Sequence, residues 1–188
     1  MKRIGLLGGT FDPPHIGHLI IAEEVRLALD LEEVWFIPSY TPPHKSNVKT
    51  KPEHRLKMIR LAIQGNPYFK VDTIELDRTG KSYTIDTIKE LRKRHSDKKF
   101  YFIIGGDMVE YLPNWYQIEE LKNLVTFVGV KRSNFSTESA FPVFIVDIPL
   151  IEISSTVLRK RCLEGTSVQY WLPHSVHQYI KEHHLYGH

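Results

Sequence analysis

Twice in this chain a short apolar run stops at a pair of glycines. Residues 2–7 run into Gly8-Gly9, and residues 100–104 into Gly105-Gly106. A short apolar run halted by glycine reads as a buried strand ending at a turn. Between and after the two runs, strand-like and helix-like stretches alternate. Helical patterns cover residues 19–29, 55–63, 84–94, 118–124, 157–163 and 176–184. Strand patterns cover 34–37, 69–71, 125–130 and 141–148. Alternation at this spacing predicts an α/β fold: a Rossmann-like, doubly wound, mainly parallel sheet with helices on both faces. A small helical part is expected to close the chain at about 150–188. In the common doubly wound order the first and fourth strands are central neighbours, so both glycine pairs would face one crevice beyond the strand ends.

Length and composition limit the alternatives. The chain has 188 residues, 41% of them hydrophobic and 25% charged, which suits a single globular domain over residues 1–188. The formal charge of +3 is too small for a polyanion-binding coat, so no nucleic-acid partner is expected. The lone cysteine, Cys162, excludes an internal disulfide and a multi-cysteine zinc site. No apolar stretch approaches the roughly 18 residues of a membrane helix. The expectation is a cytoplasmic protein without membrane partners.

Four segments carry candidate chemistry. In the first, Gly8, Gly9, Thr10 and Phe11 lead into His15-Ile16-Gly17-His18 at the mouth of a helix. Glycines let a backbone approach a phosphate, and histidines three apart share a helical face. Such a pair can donate hydrogen bonds to a phosphoryl group, although a lone pair of this kind is more often capping or surface. The pattern is neither the dinucleotide fingerprint nor a P-loop. Zinc binding through the two histidines and Asp12 lacks a convincing further ligand. In the second, prolines stiffen a loop that ends in His44 and Lys45. In the third, Asp107 follows Gly105-Gly106, where it suits a ribose hydroxyl, an ion or a helix cap. In the fourth, Ser154 or Ser155 caps a helix that carries Arg159 one turn further in.

Together these segments resemble the HxGH nucleotidyltransferase superfamily. Within it the chain is similar to the bacterial nicotinate-nucleotide adenylyltransferase family. The likeness spans residues 2–186 and is carried by ordered blocks at 8–19, 38–45, 82–87, 103–116 and 153–159. It implies transfer of the adenylyl group of ATP to nicotinate mononucleotide, by in-line attack on the α-phosphate without a covalent enzyme intermediate. It implies His15, His18, Lys45 and Arg159 as catalytic groups. Gly8, Gly9, Thr10, Phe11, Gly105, Asp107, Ser154 and Ser155 would join them around ATP, with Mg²⁺ held mainly by the phosphates. His44, Lys45, Thr84, Trp115 and Tyr116 would receive nicotinate mononucleotide, with Trp115 offering a stacking face. The same likeness leaves a homodimer open as an assembly.

Three other readings share part of the pattern. Class I aminoacyl-tRNA synthetases carry the same tetrapeptide but are larger and need a KMSKS-like stretch. Pantetheine-phosphate adenylyltransferase shares fold and tetrapeptide but is not expected to carry the blocks at 82–87 and 113–116. A catalytically inert nucleotide-binding regulator is opposed by the intact histidines and Arg159.

Overall fold

A computed structural model describes residues 1–40, 50–78, 82–131, 139–149 and 151–187, with Asp107 described in its backbone alone. Among these residues six strands, β1 (Lys2–Gly9), β2 (Glu33–Pro38), β3 (Phe69–Val71), β4 (Lys98–Gly105), β5 (Thr126–Lys131) and β6 (Val143–Asp147), form one sheet. Its order is β3-β2-β1-β4-β5-β6, and every pairing is parallel. The two glycine-terminated strands are central neighbours, with Leu6 of β1 opposite Phe102 of β4.

Among the described residues, seven helices accompany the sheet: α1 (Ile16–Ala28), α2 (Pro52–Ile63), α3 (Thr84–Arg94), α4 (Gly106–Tyr111), α5 (Ile118–Leu124), α6 (Ser155–Leu163) and α7 (His174–Glu182). Side chains alternate across a strand, and the core divides accordingly. Ile4, Leu6, Phe100, Phe102 and Phe127 pack with Ile85, Ile88 and Leu91 of α3, Val109 of α4 and Leu121 of α5. Leu7, Val34, Phe36, Ile103 and Val128 face Ile21, Ala22 and Val25 of α1 and Ile59 of α2 on the other side. A third apolar cluster joins Met58 of α2 to Leu158, Cys162, Leu172, Val176 and Ile180. The helical part beyond residue 150 therefore sits against α2.

One stretch differs from the sequence expectation. No helical pattern is legible between residues 104 and 118, yet Gly106–Tyr111 is helical and Leu112–Asn114 continues as a 3-10 turn. The cause is tertiary. Val109 is 1% exposed and packs directly over Gly129 of β5, where a Cβ would lie 2.8 Å from a Val109 methyl.

Candidate active site

Beyond the ends of β1 and β4 lies a cavity of about 350 Å³. Gly8, Gly9, Thr10 and His18 line one side, Gly105 and Met108 another, and Ser82, Thr84 and Trp115 a third. A second cavity, of about 300 Å³, shares Ser82, Thr84, Met108 and Trp115 and adds Tyr83, Asn114 and Tyr116. The two are therefore parts of one crevice. Histidine stands at one end and an aromatic pocket at the other.

The histidine end is built by local packing. His15 is the N-cap of α1 in an extended conformation, and its ring stacks on that of His18 with centroids 3.7 Å apart. The backbone N–H of His15 donates to Nδ1 of His18 at 3.1 Å. A ring whose Nδ1 accepts carries its proton on Nε2 when neutral. His15 is 3% exposed and lies behind His18, which is the member of the pair that lines the cavity. Gly17 favours this arrangement, because a Cβ there would lie 3.1 Å from the His15 ring and press on it.

The two glycines of β1 make room for aromatic rings. A Cβ on Gly8 would meet Phe102 at 3.3 Å, and one on Gly9 would meet Phe11 at 3.0 Å. Phe11 is 2% exposed, has a left-handed backbone (φ 51°) and places its ring edge on His18 at 5.0 Å. Its role in the geometry is to support the histidine pair.

The segment between Phe11 and His15 is held from behind. Arg55, 1% exposed, donates to the carbonyls of Thr10 and Ser39, each at 2.8 Å, and to those of Thr50 and Tyr40, each at 3.3 Å. Burial pulls its guanidinium below the usual arginine range, although the nearby Asp12 charge opposes that. Arg159 donates to the Asp12 carbonyl at 2.7 Å, and the Ser155 hydroxyl to that of Pro13 at 2.8 Å. Ser154 caps α6 as the sequence suggests, its hydroxyl accepting from the Val157 N–H at 3.2 Å. Thus Ser155 and Arg159 reach the backbone of the glycine–histidine motif. Arg159 lines a separate cavity of about 550 Å³ with Asp12, Lys51, His54 and Tyr186.

At the aromatic end, Trp115 packs edge-on against Phe102 and Phe127, with centroids 5.8 and 6.0 Å away. It is both part of the core margin and a wall of the crevice. Its indole nitrogen is buried with no hydrogen-bond partner among the described residues. Tyr116 is 57% exposed and leans on Tyr83 at 4.9 Å. Thr84 opens α3, so the positive end of that helix faces the crevice.

His44 and Lys45 lie outside the described residues, as does the Asp107 side chain. The Asp107 backbone is inside α4, one residue past its start, and Gly105 is the N-cap. The described residues contain no group of three His, Cys, Asp or Glu side chains able to hold a metal. Burial raises the Cys162 thiol above its ordinary value, which suits a packing role.

Glu75 was not singled out from the sequence. It is 8% exposed, lines the crevice and accepts from the Thr87 hydroxyl at 2.7 Å. That hydroxyl in turn accepts from Arg78 at 2.5 Å. Burial raises the Glu75 carboxyl above its ordinary value, against the pull of Thr87, Ser82 and Arg78. A lone acid in a polar stretch gives no periodic signal, and neither does an arginine such as Arg55 on an amphipathic helix.

A family model described as cytidylyltransferase-like matches residues 6–161. The nicotinate-nucleotide adenylyltransferase of Bacillus subtilis is 48% identical over 187 residues, covering 99% of each chain. A protein of Oceanobacillus iheyensis named probable nicotinate-nucleotide adenylyltransferase is 56% identical over 187 residues, covering 100% of this chain and 98% of its own. Among solved structures, the nicotinic acid mononucleotide adenylyltransferase of Plasmodium falciparum complexed with NaAD superposes with a TM-score of 0.82. It does so at 22% identity, over 99% of this chain and 98% of that one, a likeness of fold.

Proposed function

Since the chain belongs to the nicotinate-nucleotide adenylyltransferase family, we propose that it joins ATP to nicotinate mononucleotide, giving nicotinate adenine dinucleotide and pyrophosphate, as a step of NAD biosynthesis. The observation that carries this reading is the single crevice with His18 at one end and Thr84, Trp115 and Tyr116 at the other. It can take two substrates end to end across the switch point of the sheet.

The attacking group is the phosphate of the mononucleotide, already ionised at neutral pH, so the reaction needs no catalytic base. What it needs is alignment and stabilisation of charge at the α-phosphorus. His18, holding its proton on Nε2, donates to the α-phosphate, while His15 fixes that ring by stacking and by its backbone N–H. Lys45 supplies further positive charge to the phosphates, with His44 beside it. Gly8, Gly9, Thr10 and Gly105 frame the ATP side, with Asp107 following in α4, while Phe11, Ser154, Ser155 and Arg159 serve that side from behind the glycine–histidine motif. ATP arrives as its Mg²⁺ complex, the cation resting on phosphate oxygens. The oxygen of the mononucleotide phosphate displaces pyrophosphate directly, and no enzyme side chain becomes bonded to the adenylyl group. The pyridine ring lies against Trp115, and its carboxylate meets the backbone N–H groups at the start of α3 and near Tyr116. A negative group is favoured there, so the acid is preferred to the amide.

A substrate panel tests the reading. Purified protein is given Mg-ATP with nicotinate mononucleotide, nicotinamide mononucleotide or phosphopantetheine, and pyrophosphate release is followed. Release should be fastest with nicotinate mononucleotide. Release with phosphopantetheine alone would overturn the assignment, and equal kcat/KM for acid and amide would overturn the carboxylate contact.

A further inference from the structure

Five hydrogen bonds from distant parts of the chain brace residues 10–16, the segment that joins β1 to α1. Arg55 takes the Thr10 carbonyl, Arg159 the Asp12 carbonyl and Ser155 the Pro13 carbonyl. The Ile16 N–H donates to the Trp171 carbonyl at 3.0 Å. The fifth is the one that holds a side chain of the segment: the Tyr186 hydroxyl donates to Oδ1 of Asp12. Asp12 is 6% exposed, and a buried carboxylate without a donor is costly. Arg55 lies close enough to attract it, but its hydrogen bonds go to four carbonyls. Tyr186 is turned inward by an uncommon backbone. Its φ is 60°, and its neighbours His184 and Gly187 have φ of 48° and 88°. Non-glycine residues take such values when surrounding contacts enforce them. Burial, reinforced by the Asp12 charge, drives the Tyr186 hydroxyl far above the ordinary tyrosine range, so it remains a donor throughout the working pH range.

We propose that Tyr186 is a positioning residue for adenylyl transfer: by holding the Asp12 carboxylate it sets the histidine pair at the crevice. The proposal rests on the functional reading above. Asp12 is followed by Pro13 and Pro14, whose rings fix φ. A rotation at Asp12 is therefore carried to His15 with little loss. His15 then sets His18 through its N–H and its ring. Tyr186, which lines a different cavity from the one containing His18, acts through three residues of stiff chain.

Tyr186→Phe keeps the ring and removes the hydroxyl, and Tyr186→Ala removes both. Kinetics by pyrophosphate release should show kcat lowered about 10-fold in both variants, with KM for ATP and nicotinate mononucleotide within about 2-fold of wild type. The melting temperature of the Phe variant should fall by a few degrees, because the buried Asp12 carboxylate loses its donor, and the kinetics are read at a temperature where every variant remains folded. Nitrogen-15 NMR of the imidazoles should show the His18 Nε2–H tautomer in the wild type and a tautomer mixture in Tyr186→Phe. A Phe variant matching wild type in kcat and tautomer would overturn the proposal. So would a kcat loss with the His18 tautomer unchanged, or one that merely follows lost stability. If the wild type releases no pyrophosphate from any partner, the functional reading fails, while the NMR comparison still decides whether Tyr186 positions His18.

Discussion

Gly17 shows how much of the site depends on single atoms. The His15 ring lies 3.1 Å from where a Cβ on Gly17 would be, a tight contact. Gly17→Ala should push that ring off His18 and lower kcat by about 10²-fold, since small misplacements of catalytic groups are that costly; stopped-time pyrophosphate assays would measure it. The histidine pair was visible in the sequence because its spacing and the nearby glycines form a local pattern. Glu75 was not, because its significance arises from distant partners, Thr87 and Arg78. Its raised carboxyl value has a thermodynamic consequence. The folded state holds this proton more tightly than the unfolded chain. Stability from that source is complete below the unfolded value of 4.5 and is lost as pH rises through the higher folded value. Glu75→Gln keeps the acceptor for Thr87 and removes the titration. Melting curves should show the variant gaining on wild type as pH climbs from 4.5, then running parallel.

The elements were read from the sequence unevenly. The strands were legible as short unbroken apolar runs halted by turn residues, and the long helices by an apolar period of about 3.6 residues. The helix α4 was not. It has six residues, begins at Gly106, and is too short to be stable by propensity. It exists because Val109 docks on Gly129 in the strand below. Gly129→Ala would also press on Ile145 and Val143, at 3.0 and 3.1 Å. Such overpacking costs about 1–3 kcal/mol, which calorimetry would register as a lower melting temperature. Met108 shares α4 with Val109 and lines both parts of the crevice. The same variant should therefore raise KM for nicotinate mononucleotide more than kcat falls.

Across the whole molecule, the crevice is assembled from parts far apart in sequence. Arg55 joins the ends of β1 and β2 to the start of α2 through the carbonyls of Thr10, Ser39 and Thr50. Arg55→Met fills the space but leaves buried acceptors without donors. At about 1–3 kcal/mol for each such group, urea denaturation should show a loss of several kcal/mol, and Arg55→Lys should recover only part of it. No helix among the described residues is long and apolar enough to cross a membrane. The bracing of residues 10–16 by Ser155, Arg159, Trp171 and Tyr186 also has a meaning in time. The glycine–histidine motif precedes its braces by more than 130 residues, so it leaves the ribosome well before them. A nascent chain can pair β1 with β2 and β4 while the motif still lacks the contacts that shape it. The shape of the motif therefore waits on contacts that the chain supplies only after the sheet's central strands are in place.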